Sequence, residues 1–277
     1  MRQANIKQNF KLWLNLALKA KDKELFHYAS SLSFHTILSI IPVLLISFSI
    51  FTQMPSFSVY YGKIKEFIFS SLLPSNQEAI TGYIETFLQN SSALGVLGLG
   101  AIIFTSIMFF IDYEYVINNI MKSEGRGFFS SLSVYWTLIT LAPIGLGLSF
   151  YLSNLLQNLL NSNEYTNWIN FLSIFPYLII WAIFCIVYLI SVSRPIAFKN
   201  ALLSSFVASL IWYLGKNIFV FYATNNKTYL SIYGSFSVAL LFFVWIYISW
   251  IIFLYGLKLC SFLENTKDNE AKSSKQG

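Results

Sequence analysis

Asp112 and Glu114 stand two residues apart at the end of the apolar run "IMFFIDYEYVINNI", residues 107–120. Two carboxylates in one site can share a proton and divide the work of acid and base. Their spacing forbids that on a helix, where residues two apart point about 200° from each other. Glu114 shares a face with Asn118, whereas Asp112 shares one with Tyr115 and Asn119. From Asp112 to the basic loop at Lys122 the helix rises about 15 Å, so Asp112 belongs near the inner end of its run. Glu114 is therefore expected among headgroups or beside Arg126. Asp112 is expected to face inward, onto Arg126, Arg194 or a serine of the first apolar run.

Other chemistry is sparse. His27 and His35 are the only histidines, and without CxxC, HExxH or a carboxylate cluster no zinc or di-metal ligand set assembles locally. There is no GxSxG elbow and no P-loop. The glycines of "GVLGLGAI", residues 95–102, open an apolar helix rather than follow a strand, so they read as a close helix contact. No catalytic residue, cofactor or metal is assigned.

What remains are polar groups within apolar runs, which are expensive to expose to lipid and so invite a functional or helix-locking role. His35 and Thr36 lie a turn into the first run, near Ser30, Ser31, Ser33 and Ser39. Lys216 and Asn217, with Tyr222, Tyr229, Ser231, Tyr233, Gly234 and Ser235, form a polar and aromatic rim at the opposite end. For His35 an interhelical hydrogen bond outweighs proton handling, and for Lys216 snorkelling to headgroups outweighs binding.

The elements that must hold these residues follow from composition. Of 277 residues, 56% are hydrophobic and 11% charged, against about 45–50% and about 25% in soluble proteins. With a mean hydropathy of +0.61 and 27 Phe, 17 Tyr and 7 Trp, the chain has more apolar surface than one core can hide. Lipid is the missing solvent. Six runs exceed the roughly 20 residues a hydrocarbon core requires: 32–54, 93–118, 128–156, 168–192, 201–222 and 232–257. The expected fold is an all-α polytopic membrane protein of six transmembrane helices, a single domain over residues 1–262 with a disordered cytoplasmic tail, 263–277.

Basic residues set the orientation. With the N-terminus inside, only Lys63, Lys65, Lys216 and Lys227 of the 18 Lys and Arg fall outside or in the outer half of a helix. The bias repeats loop by loop, so both termini are expected in the cytoplasm. It also accounts for the net charge of +6. The positives are spread over membrane-proximal loops among acidic residues, which suits anionic headgroups and not nucleic acid.

Between these runs, residues 6–31 alternate apolar and lysine positions as an interfacial helix would. Residues 55–92 read as a helical hairpin on the outer face, split at Pro74-Ser75. The first apolar run follows a thirty-residue lead, is a full span and precedes no A-x-A site, so no cleavable signal is expected. Cys185 and Cys260 read as small packing residues rather than a disulfide.

"LSFHTILSIIP", residues 32–42, resembles the first-span signature of the YihY/BrkB family of bacterial inner-membrane proteins, the UPF0761 type. Residues 194–259 resemble its C-terminal region. There a basic segment leads to a span ending near Tyr, an outer turn with Tyr-Gly, and a Leu/Trp/Tyr-rich last span that closes on Gly. The resemblance covers about residues 20–262 and implies a compact six-helix body in the inner membrane. Where the family is commonly Ala-rich, this chain has "ASSLSF", residues 29–34. The ribonuclease BN label once attached to the family is not carried over, because neither a metal site nor a general base is present.

Two functions are expected from this reading. One is a transporter or lipid-handling protein. Its cavity would be framed by His35, Pro42, Asp112, Arg126, Arg194, Asn217, Tyr229, Tyr233 and Gly234, with Pro42, Pro143 and Pro176 permitting broken helices. Its partners would be membrane lipids and a small-molecule or lipid substrate. The alternative is a scaffold in which those residues only lock helices together.

Overall fold

An apolar run in lipid must satisfy its own backbone hydrogen bonds, and a helix does so within one segment. The computed structural model describes residues 22–52, 63, 66, 95–161, 171–226, 231, 233 and 236–276. Among them six long helices follow one another without a strand: α1 (Lys23–Thr52), α2 (Gly95–Met121), α3 (Phe128–Asn161), α4 (Phe171–Ser191), α5 (Phe198–Asn225) and α6 (Phe236–Gln276). Two stretches, Phe198–Asn225 and Ala239–Thr266, are long and apolar enough throughout to cross a hydrocarbon core.

Several boundaries depart from the sequence expectation. Residues 23–31, read there as the end of an interfacial helix, are the first turns of α1. Asp22 begins that helix, its carbonyl accepting from the Phe26 N–H at 3.2 Å, and its carboxylate pairs with Lys258 of α6. Residues 1–21 and nearly all of the 55–92 hairpin lie outside the described residues. Lys63 is described, and its Nζ donates to Asn154 Oδ1 of α3 at 3.2 Å. The tail expected to be disordered is instead helical to Gln276. Extending a formed helix fixes one residue per added hydrogen bond, so no new nucleus is needed. Pro42, Pro143 and Pro176 lie inside α1, α3 and α4 without breaking them.

α1 packs on α2, α3 and α6, while α5 packs between α4 and α6. The core at the end near α1's start joins Leu25, Ala29 and Leu32 to Val116, Ile117 and Met121 of α2 and to Leu254 and Leu257 of α6. Aromatic rings fill its centre: Phe110 stacks on Tyr135 at 4.9 Å, and Trp250 meets Phe253 edge-on at 5.4 Å. Buried polar tips find partners across helices, with Tyr113 Oη and Ser191 Oγ 2.9 Å apart and Tyr188 Oη donating to Phe253 O at 2.8 Å. Trp250 Nε1 donates to Thr36 Oγ1 at 2.9 Å, and Trp212 Nε1 to Ser249 Oγ at 3.0 Å.

α5 is built inside out for water. Ala201, Ser204, Ser205, Ala208, Ser209 and Trp212, at helical spacing, are buried. Leu203, Phe206, Leu210, Leu214, Ile218 and Phe221 are exposed, the last two about 70%. Small residues inside let backbones approach closely, and large apolar ones outside suit lipid. A tight approach lies at Gly256 of α6, where a Cβ would collide with Tyr188 Oη and Ala208 Cβ. α4, α5 and α6 meet there.

Candidate lipid-facing site

α2 carries Asp112 and Glu114 to opposite sides, as their spacing requires. Asp112 faces α1. Its Oδ2 accepts from Ser31 Oγ at 2.7 Å and lies 3.1 Å from His35 Nδ1. Ser31 and His35 are four residues apart and so occupy one face of α1. Ser39 Oγ in turn donates to His35 O at 2.7 Å. The pair is only about one-fifth exposed and ties the two helices together. Of the three partners expected for Asp112, the serine is the one present.

Arg126 and Arg194 are used elsewhere. Arg126 Nη2 donates to Ile190 O at 2.9 Å and Val192 O at 2.7 Å. A guanidinium at the end of α4 satisfies carbonyls that have no intrahelical donor and meets the negative end of the helix dipole. Arg194 reaches Asn265 Oδ1 at 3.4–3.5 Å. Beside it, Glu264 Oε2 accepts from Ala197 N at 3.2 Å and Asn200 Nδ2 at 2.6 Å. α5 has an alanine at its N-cap and no cap from its own side chain, so the carboxylate from α6 supplies one.

Glu114 faces α3. Its Oε1 accepts the backbone N–H of Arg126 at 2.8 Å, so the expected Glu114–Arg126 contact is with the main chain and not the guanidinium. Between α2 and the start of α3 this leaves a pocket of about 380 Å³, within the size of small-ligand sites. Glu114, Asn118, Asn119, Ser123, Arg126 and Ser131 give it a polar end, and Ile107, Phe110, Ile111 and Tyr115 an apolar one. Arg126 Nη1 is buried without a partner among the described residues, as is Tyr135 Oη behind Phe110.

The loop is fixed by local chemistry. Lys122 takes a left-handed conformation, φ 51°, just past α2, and Ser123 N–H returns to Asn118 O at 3.0 Å. This is the six-to-one bond of a Schellman cap. Asn118 Oδ1 also accepts from Ser123 Oγ at 2.7 Å and Ser193 Oγ at 3.2 Å, tying the loop to the α4–α5 connection. Gly125 borders the pocket: a Cβ there would sit in ordinary contact, 3.4 Å from Asn118 Nδ2 and 4.0 Å from Glu114 Oε1, so a larger side chain would extend into the pocket space.

A second pocket, about 220 Å³, lies among Thr36, Phe184, Trp212, Trp245 and Trp250. Its hydroxyls on Thr36 and Ser249 are engaged by Trp250 and Trp212, so its walls offer a ligand mainly rings. The remaining candidates do not converge on either pocket. Asn217 and Tyr233 are exposed. The Lys216 ammonium lies 5.9 Å from the Trp212 ring and 5.8 Å from that of Tyr213. Pro42 lies within α1 but its side chain, like Tyr229 and Gly234, falls outside the described residues. Among the described residues His35 and Asp112 do not share a pocket with Arg126, and most of the outer turn expected to complete their cavity lies outside those residues. Asp112 is spent on α1, and aromatic side chains fill the bundle between. Ser123, Gly125, Ser131 and Tyr135 escaped the sequence reading, which had Asn118 only as a neighbour of Glu114 on one helix face. The run Gly125-Arg126-Gly127 immediately before an apolar helix was their one legible sign.

These helices carry an inside-out apolar surface and a basic loop that closes on its neighbours, and the comparison with known proteins agrees. The family model for virulence factor BrkB matches residues 16–277. The chain belongs to the BrkB family. A UPF0761 membrane protein of Haemophilus influenzae is 30% identical over 245 residues, 88% of this chain and 91% of the relative. One from Pseudoalteromonas atlantica is 31% identical over 250 residues, 89% and 83% of the two chains. One from Mannheimia succiniciproducens is 28% identical over 266 residues, 95% and 93%. No solved structure matches. BrkB relatives of this group are thus membrane proteins over nearly the same length, and their names assign no reaction.

Proposed function

We propose that this BrkB-family chain spans the bacterial inner membrane six times, with both termini in the cytoplasm, and handles lipid at the cytoplasmic leaflet. One observation carries the reading: the α2–α3 pocket pairs a charged, hydrogen-bonding end at a basic loop with an apolar wall that continues onto exposed helix surface. Phe104, Met108, Ile111 and Tyr115 are all exposed and spaced four, three and four residues apart, one ridge of α2. Their 11-residue separation is about 16 Å of helix, close to half of a hydrocarbon core of about 30 Å. A headgroup in the pocket would let an acyl chain follow that ridge. The polar groups that would serve a path through the bundle centre, Asp112 and His35, are paired with each other, which favours handling at the periphery over translocation through the middle.

Lipid extraction from the full chain purified in mild detergent tests the reading. About one phospholipid per chain should be retained through washing, and Gly125→Leu, which fills the pocket without altering a charge, should lose it. Equal retention by both would remove the basis of the proposal. The scaffold alternative draws on the Ser31–Asp112–His35 and Trp250–Thr36 contacts, which lock helices without any ligand. It gains if neither chain retains lipid.

A further inference from the structure

Resting on that reading, the pocket also says which headgroup it would take. Its charged side chains are one guanidinium, Arg126, and one carboxylate, Glu114, so an anion alone would face Glu114 and a cation alone would face Arg126. Arg126 lines the pocket with a donor to spare: Nη2 is bound to the end of α4, while Nη1, closed off from solvent, has no partner among the described residues. An unmade hydrogen bond on a buried charged donor is costly, and a phosphate oxygen is a matched acceptor. α3 starts at the same place. Gly127, whose carbonyl accepts the Ser131 N–H at 3.0 Å, has no side chain with which to cap the first N–H groups of a 34-residue helix. That end of the helix favours negative charge. Glu114 accepts one backbone N–H through Oε1, and a carboxylate has acceptor capacity beyond one bond.

We infer that the α2–α3 pocket binds the headgroup of a zwitterionic, primary-amine phospholipid of the phosphatidylethanolamine type. The phosphate lies toward Arg126 and the start of α3, the ammonium toward Glu114, and an acyl chain lies along the Phe104–Tyr115 ridge. The same charges would accept free phosphoethanolamine, but the ridge gives the diacyl form an additional apolar contact that the soluble headgroup lacks.

Native mass spectrometry of the full chain, titrated with dioleoyl phosphatidylethanolamine, dioleoyl phosphatidylglycerol and free phosphoethanolamine, tests this. The wild type should bind phosphatidylethanolamine more tightly than phosphatidylglycerol and bind the free headgroup weakly. Glu114→Gln keeps an oxygen for the Arg126 N–H but loses the charge. It should weaken phosphatidylethanolamine by about tenfold and reverse the preference toward phosphatidylglycerol. Gly125→Leu should lose both lipids, with thermal stability recorded for each variant to separate unfolding from lost binding. If Gly125→Leu loses both lipids while Glu114→Gln leaves the preference unchanged, the pocket stands and the amine assignment falls. Free phosphoethanolamine binding as tightly as the lipid would overturn the diacyl ligand and the role of the ridge. If a folded Gly125→Leu binds both lipids as the wild type does, the pocket reading itself falls.

Discussion

At the scale of single residues, the chain uses its few polar side chains as joints between helices. Asp112 is held by two donors from one face of α1, and removing it leaves Ser31 and His35 facing an apolar interface. Asp112→Ala should cost about 1–3 kcal/mol, and Asp112→Asn, which can still accept from Ser31, less. Thermal unfolding of the purified chains would rank them, and equal midpoints for Ala and Asn would contradict the assigned joint. Gly256 is a joint of another kind, because a side chain there has no room against Tyr188 and Ala208. Gly256→Leu should destabilise by about 1–3 kcal/mol or more through overpacking. A Gly256→Leu chain that melts with the wild type would mean that α4, α5 and α6 can separate freely at this point.

At the scale of elements, the connections carry more specific chemistry than the helices. The α2–α3 loop turns through Lys122 in the left-handed region, where a β-carbon costs roughly 1–2 kcal/mol. Lys122→Gly should therefore raise stability by up to about 1 kcal/mol, after the entropy glycine adds to the unfolded chain. A fall in the melting midpoint would argue against the left-handed cap. The α4–α5 connection draws its partners from α6: Glu264 accepts from the Ala197 N–H and the Asn200 side-chain amide, and Asn265 accepts from Arg194. These two residues explain why a segment that looks like a solvated tail begins as packed helix.

At the scale of the whole molecule, the start of the first described helix is fastened to the last. Asp22, at the start of α1, has its carboxyl held below the ordinary range, chiefly by the hydrogen bond from Lys258 of α6 and opposed by partial burial. A depressed folded-state value means that the unfolded chain binds the proton more readily. The contact thus stabilises fully above about pH 4 and is lost as pH falls through the lower, folded value. Lys258→Met should flatten this acid-side decline in thermal stability. An unchanged decline would assign acid sensitivity to other groups.

The sequence by itself determined the class of molecule and the long helices seen among the described residues, because composition and run length depend on the solvent and not on the partners of any residue. It also determined that Asp112 and Glu114 act separately, since helical periodicity alone points them apart. It placed Arg126 and Arg194 in the loops after α2 and α4 but could not choose their acceptors. Those are main-chain carbonyls at the end of α4 and an amide on α6, groups with no signature in sequence. The pocket was equally hidden. It exists because α2 and α3 diverge at a loop tied by Asn118, Ser123 and Ser193, and because Gly125 leaves room beside Glu114. Only the tertiary structure decided this, because a cavity is set by which backbones approach, and residues 70 to 140 positions apart contribute to that approach.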